Sequence, residues 1–352
     1  MPPEKVVIDT DIGYLNDDSI ALGVALGSPE LEVLAVTVVA GNFSVQQGVT
    51  DGLAMLERFG RLDIPLHAGA AQPLVHRRSA YADASWGRWG TDDAAPPPLG
   101  RPARATSSAL GAAEAVVALA RQFPGELSII ALGPLTTVAE ALALEPRLAS
   151  LLKRIVIMGG SVAAFPHGAG NITPTAEFNV WVDPEAAGRV LSSGAAMELV
   201  PLNATRLVAY TAGFHADLQA TGGLGAEILA ERMGDFFTEA SGDLQTANFS
   251  NYGLCDSTAV IAAVRPAALD WRVLQVQVDL SAGPAYGTSY CYLLSDPALA
   301  KVQNAEGVWD GLHQPLPLTG AVSPPATVRV AIAADGAAVR AECLTRLAAL
   351  RA

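Results

Sequence analysis

The chain has 352 residues, 51% of them apolar and 16% charged, which is enough to bury a large core. Its 35 acidic residues outnumber 22 basic ones, for a net charge of -13. That balance argues against nucleic-acid polymers and anionic membranes as partners, and favours a small neutral ligand or a cation held by surplus carboxylates.

The opening Met1-Pro2-Pro3-Glu4-Lys5 runs straight into a strand and carries no secretory pattern. Val6-Val7-Ile8 is a continuous β-branched run of the kind a buried parallel strand shows. It ends in acidic and glycine residues, after which 19–26 reads as a helix. A strand is predicted over 31–39. The apolar stretch there is interrupted by Glu32 and is too short to span a bilayer. A helix over about 44–59 and a short strand at 64–68 follow. Residues 69–102 gather Pro, Gly and Ala around Trp86, Trp89 and Pro96-Pro97-Pro98, which predicts a long irregular loop, functional or mobile, rather than a domain linker.

Strands at 127–132 and 155–158 repeat the pattern, with helices near 111–121, 136–144 and 184–191. Residues 210–250 read as irregularly helical, 287–292 as strand, and the tail as a strand at 327–332 and a helix at 337–350. This alternation predicts an α/β fold: an open, mostly parallel central sheet flanked by helices, with ligands at the C-terminal strand ends. No repeat or linker divides the chain, so a single domain over 1–352 is expected. Cys255, Cys291 and Cys343 are odd in number and lack metal-type spacing, which predicts reduced thiols and a cytoplasmic protein.

The chemistry concentrates after the first strand, where Asp9, Asp11 and the pair Asp17-Asp18 arrive within ten residues. One acid before an apolar run would be an ordinary helix cap. Four beside a buried strand repel one another unless a cation neutralises them or one stays protonated. All-oxygen donors without His or Cys favour a hard cation, calcium or magnesium.

Asp9-Thr10-Asp11-Ile12-Gly13 with Asp17-Asp18 resembles the signature of inosine–uridine-preferring nucleoside hydrolases, with Ile12 in place of the usual Pro and a loop Tyr14-Leu15-Asn16 two residues longer. Further segments are similar in the same order: Ala40-Gly41-Asn42, Leu132-Gly133-Pro134-Leu135-Thr136, Met158-Gly159-Gly160, Asn171, Ala176-Glu177-Phe178-Asn179 and Cys255-Asp256. The resemblance implies calcium bound by Asp11, Asp18, the Leu132 carbonyl and Asp256. It makes Asp17 the general base, holding a calcium-bound water, and Asn179 its catalytic companion. Asn42, Met158, Asn171, Glu177 and Asn179 would line the ribose pocket, and Asp9 would orient its neighbours.

Trp86 and Trp89 fall where relatives carry a loop near the base, and could stack on it or simply anchor the loop. Cys255 stands where many relatives carry His, a candidate acid for the leaving base. A thiol with an ordinary pKa of about 8.5 is poorly suited to that role. The implied reaction is hydrolysis of the N-glycosidic bond of a nucleoside by a homodimer or homotetramer. A nucleotide's phosphate would meet a carboxylate-rich rim. Two alternatives on the same fold are a non-catalytic nucleoside- or ribose-binding protein and a hydrolase of another N-riboside. A metal-dependent phosphohydrolase lacks its Lys and Ser/Thr partners downstream.

Overall fold

The structure is a computed structural model that describes residues 2–13, 16–75, 107–163, 165–241, 253–292 and 326–350. Among the described residues nine strands form one sheet, in the order β3-β2-β1-β4-β5-β6-β9-β7-β8. They are β1 (Glu4–Thr10), β2 (Leu31–Val38), β3 (Leu66–Ala68), β4 (Leu127–Ala131), β5 (Leu152–Met158), β6 (Met197–Val200), β7 (Leu269–Val278), β8 (Ser289–Tyr292) and β9 (Ala326–Ala334). The pairs from β3 through β9 are parallel, while β7 runs antiparallel to both β9 and β8. The open, mostly parallel sheet expected from the strand–helix alternation is therefore present.

Strand alternation explains why both faces are covered. Val6 and Ile8 of β1 point into a core shared with helices Asp17–Leu26, Cys255–Val264 and Gly336–Ala349. Val7 points into the opposite core, with helices Ala112–Gln122, Thr136–Leu144 and Pro184–Leu191. Each of these three β1 side chains is fully buried. A strand buried on both sides needs no polar alternation, hence the unbroken apolar run.

The sequence turns back on itself between β1 and β4. The chain winds outward from β1 to β2 and β3, then returns to β4 on the other side of β1. Such a switch point opens a crevice beyond the carboxyl ends of the strands, and ligands bind there. Asp11 follows β1 and Leu132 follows β4 at this place. The helix predicted from residue 19 begins two residues earlier, at Asp17, so that Asp17 and Asp18 occupy its first turn. Among the described residues no helix is long and apolar enough to cross a membrane.

Candidate active site

The alternation of β1 divides the acidic cluster before any ligand is considered. Thr10 shares a face with Ile8, and its hydroxyl donates to Asp18 Oδ1. Asp9 shares the face of Val7 and lies under helix Thr136–Leu144. There it accepts from Thr37 Oγ1 at 2.6 Å, and its backbone carbonyl accepts from Leu132 N at 2.7 Å. Asp9 thus aligns the ends of β1 and β4 and does not face the pocket carboxylates. Burial raises its pKa to about 7.

Asp11, Asp17, Asp18 and Asp256 gather on the pocket side. An oxygen from each of Asp17, Asp18 and Asp256 lies within 4.8 Å of the others. Asp11 stands outside that tightest group, with Oδ2 accepting from the backbone N–H of Asn42 at 2.7 Å. A Cβ on Gly41 would sit 2.1 Å from the same Oδ2, so glycine is required for the loop after β2 to approach the carboxylate. Asn16 holds the N-cap position of helix Asp17–Leu26, but its side chain donates to Asp18 Oδ2 at 2.6 Å instead of capping.

Asp17 Oδ2 accepts from the backbone N–H groups of Cys255 at 3.0 Å and Asp256 at 3.3 Å. These are the first two residues of helix Cys255–Val264, so the positive end of that helix points at Asp17. Burial, joined by mutual repulsion for all but Asp18, raises all four carboxyls. Asp17 reaches about 7 through burial and then the charge of Asp18. No salt bridge among the described residues offsets these charges. Four hard oxygen donors, raised first by burial and, for all but Asp18, by mutual repulsion, fit a divalent cation of the calcium or magnesium type.

The opposite wall is built around Glu177, which is 2% exposed. Its carboxylate caps helix Phe178–Val182, accepting from Asn179 N at 2.8 Å and Val180 N at 3.1 Å, and also from Gly160 N at 2.8 Å. Gly160 has φ of 77°, a left-handed conformation that turns this N–H toward the glutamate. Burial raises Glu177, against the lowering effect of those three N–H groups.

Asn179 donates from Nδ2 to the Leu132 carbonyl at 2.6 Å and to the Met158 carbonyl at 3.3 Å. The Asn179 amide therefore links the ends of β4 and β5, and orients the carbonyl that the resemblance assigns to the cation. Asn171 is exposed, and its Oδ1 accepts from Phe178 N at 2.9 Å, tying its loop to the capped helix. Met158 is buried in the core, presenting its carbonyl and sulfur to Asn179.

The fold thus brings together Asp11, Asp17, Asp18, Asp256 and Leu132 at one rim, with Met158, Glu177 and Asn179 on the adjoining wall. Asn42 contributes a backbone N–H. Trp86 and Trp89 lie outside the described residues. Sequence reasoning did not single out Thr10, Asn16 or the helix start at Cys255 as supports. Thr10 carried the best signal, since it sits between two acids of the motif. Asn203 and Arg206, in the segment after β6, were not singled out either. Asn203 in fact accepts from Val162 N at 2.8 Å and donates to the Val162 and Pro166 carbonyls at 3.0 and 2.9 Å.

The chain belongs to the family described as inosine-uridine preferring nucleoside hydrolase, whose model matches residues 6–341. It is an enzyme that hydrolyses the N-glycosidic bond of ribonucleosides. A pyrimidine-specific ribonucleoside hydrolase, RihB of Escherichia coli O9:H4, is 32% identical over 310 residues, 86% of this chain and 92% of that protein. The plant nucleoside hydrolase PpNRh1 superposes with a TM-score of 0.74 at 30% identity, covering 98% of this chain and 99% of the other. An inosine-guanosine nucleoside hydrolase gives 0.73 at 28% identity, covering 97% and 98%.

Proposed function

We propose that the cation held at this rim is calcium, bound by Asp11, Asp18, Asp256 and the Leu132 carbonyl, and that Asp17 is the general base of ribonucleoside hydrolysis. The observation that carries the reading is the group of Asp17, Asp18 and Asp256, whose oxygens lie within 4.8 Å of one another at the switch point of the sheet. When bound, calcium lowers the pKa of water and fixes the sugar diol.

The chain's own residues do the rest. Two backbone N–H groups hold Asp17 Oδ2, which leaves the other oxygen to take a proton from the attacking water. A base with a pKa near neutrality suits that task. Glu177 and Asn179, with Asn171 at the pocket edge, orient the ribose and face the positive charge that develops on the ring as the bond to the base breaks. The carboxylate-rich rim disfavours a phosphate, so nucleosides rather than nucleotides are the substrates.

Protonation of the departing base does not fall to Cys255. Burial and then the charge of Asp17 push its thiol up to about 12, so it is a weak acid. Replacing Cys255 by Ala is expected to keep kcat within about threefold on every nucleoside, since a removed thiol of this kind supplies no proton. A loss of more than about a hundredfold, confined to purine nucleosides, would make it the acid after all.

Base preference is tested by ribose release from purine, pyrimidine and nicotinamide ribosides, with and without a chelator. Chelator-sensitive release from at least one ribonucleoside is expected. Binding without release from any of them would favour a non-catalytic binder, and release from the nicotinamide riboside alone another N-riboside hydrolase. Free base and ribose, the products of this hydrolysis, would feed purine and pyrimidine salvage. The three free thiols accord with a cytoplasmic setting, and the family resemblance with one domain assembled as a homodimer or homotetramer.

A further inference from the structure

Between Gly160 and Glu177 the chain forms a loop that delivers Asn171 and Glu177 to the pocket. It is tied down from one side by residues that follow β6. The Arg206 guanidinium donates from Nη1 to the carbonyls of His167 at 2.8 Å and Ala169 at 2.6 Å, and from Nη2 to the Gly170 carbonyl at 2.9 Å. The Gly170 carbonyl belongs to the residue just before Asn171, whose Oδ1 in turn holds Phe178 N next to Glu177.

The same loop contains the only non-glycine residue with positive φ among the described residues, His167 at 64°. A left-handed conformation costs a side-chain-bearing residue free energy, and it persists only where surrounding contacts enforce it. The Arg206 donor fork meets the His167 carbonyl itself. Its charge also acts on Glu177 and Cys255, lowering both.

We infer that Arg206 is a positioning residue for this reaction, holding a strained loop through three carbonyls so that Asn171 and Glu177 meet the ribose in a fixed arrangement. The inference rests on the ribose-pocket reading of those two residues. A lysine would not replace it. One ammonium on a flexible stem cannot present the planar fork that spans three acceptors.

The test compares wild-type enzyme with R206A, R206K, H167G and H167G/R206A on the best nucleoside, measuring KM, kcat and calcium affinity. R206A and R206K are expected to raise KM about tenfold while calcium affinity stays within about twofold, because the metal ligands lie on other elements. Adding H167G to R206A should restore part of the lost KM, since glycine holds this φ without the clamp. An unchanged KM in R206K overturns the inference, as does a KM increase that H167G leaves untouched. So does a calcium affinity that falls in step with activity. R206K keeps the stem and charge, so it decides the matter if R206A does not fold. A wild-type enzyme with no turnover on any nucleoside would instead overturn the reading of the pocket.

Discussion

Replacing Asp17 by Asn should lower kcat by about 10²- to 10⁴-fold, the usual contribution of a positioned general base, while calcium still binds. The substitution keeps the local frame. An amide oxygen can accept from Cys255 N and Asp256 N as the Oδ2 carboxylate oxygen does. What changes is the other atom, which becomes an NH₂ donor and can no longer accept a proton from water.

The variant also separates two roles that geometry alone leaves together, because an Asp17 oxygen lies in the same tight group as Asp18 and Asp256. Calcium affinity within about tenfold of wild type, with turnover lost, assigns Asp17 to the base, since losing a true ligand costs more. Normal turnover would move the base elsewhere. Loss of calcium binding would make Asp17 a ligand.

The second large effect is on stability and its dependence on pH. Asp9 and Asp17 are raised to about 7, and Asp11, Asp18 and Asp256 are raised as well, all led by burial. Their folded-state pKa values lie above the unfolded values near 4, so between those limits the native protein binds more protons than the unfolded chain. Without metal, the contribution of Asp9 and Asp17 is fully present below about pH 4 and is lost as pH rises through about 7, and the other three act in the same direction.

Calcium competes with these protons and removes the repulsion, so its stabilising effect should grow with pH. At a thousandfold excess over Kd, calcium adds about 4 kcal/mol, which is a rise of several degrees in Tm at pH 8, with much less at pH 5. Replacing Asp256 by Asn should raise the Tm of the metal-free protein at pH 8 and abolish most of the calcium gain. Thermal melts at the two pH values check both. An equal calcium effect at pH 5 and pH 8 would contradict the assignment.

The parts of the fold that could be read in advance are those whose residues face a single demand. Val6, Val7 and Ile8 must be apolar on both faces, and the helices 136–144 and 184–191 follow from their own patterns and, for the second, an Asp183 cap with Pro184. β6 and β7 were not legible. In β6 the run Met-Glu-Leu-Val carries Glu198, tolerated because Arg154 and Arg329 from the neighbouring strands pair with it. In β7, Asp270, Arg272, Gln275 and Gln277 interrupt the apolar residues, as an antiparallel strand near a sheet edge allows.

The site divides in the same way. The Asp-Thr-Asp motif and the Glu177–Asn179 stretch are local, and their acids and amides are visible as letters. Much of what supports them acts through the backbone, which has no letter. The N–H groups of Cys255 and Asp256 reach Asp17 across more than two hundred residues, Asn42 serves Asp11 through its N–H, and Arg206 grips three carbonyls. Even Asn16, read only as part of the longer loop, turns its side chain to Asp18 once the helix begins at Asp17.

The most direct test of the account is ribose release by protein stripped of metal with a chelator, followed as calcium is added back and bound calcium is counted. Activity should be absent at the start and return in proportion to one calcium per chain, saturating there. Full ribose release at zero bound metal would contradict the assignment of the Asp11, Asp18 and Asp256 rim as the centre of the reaction.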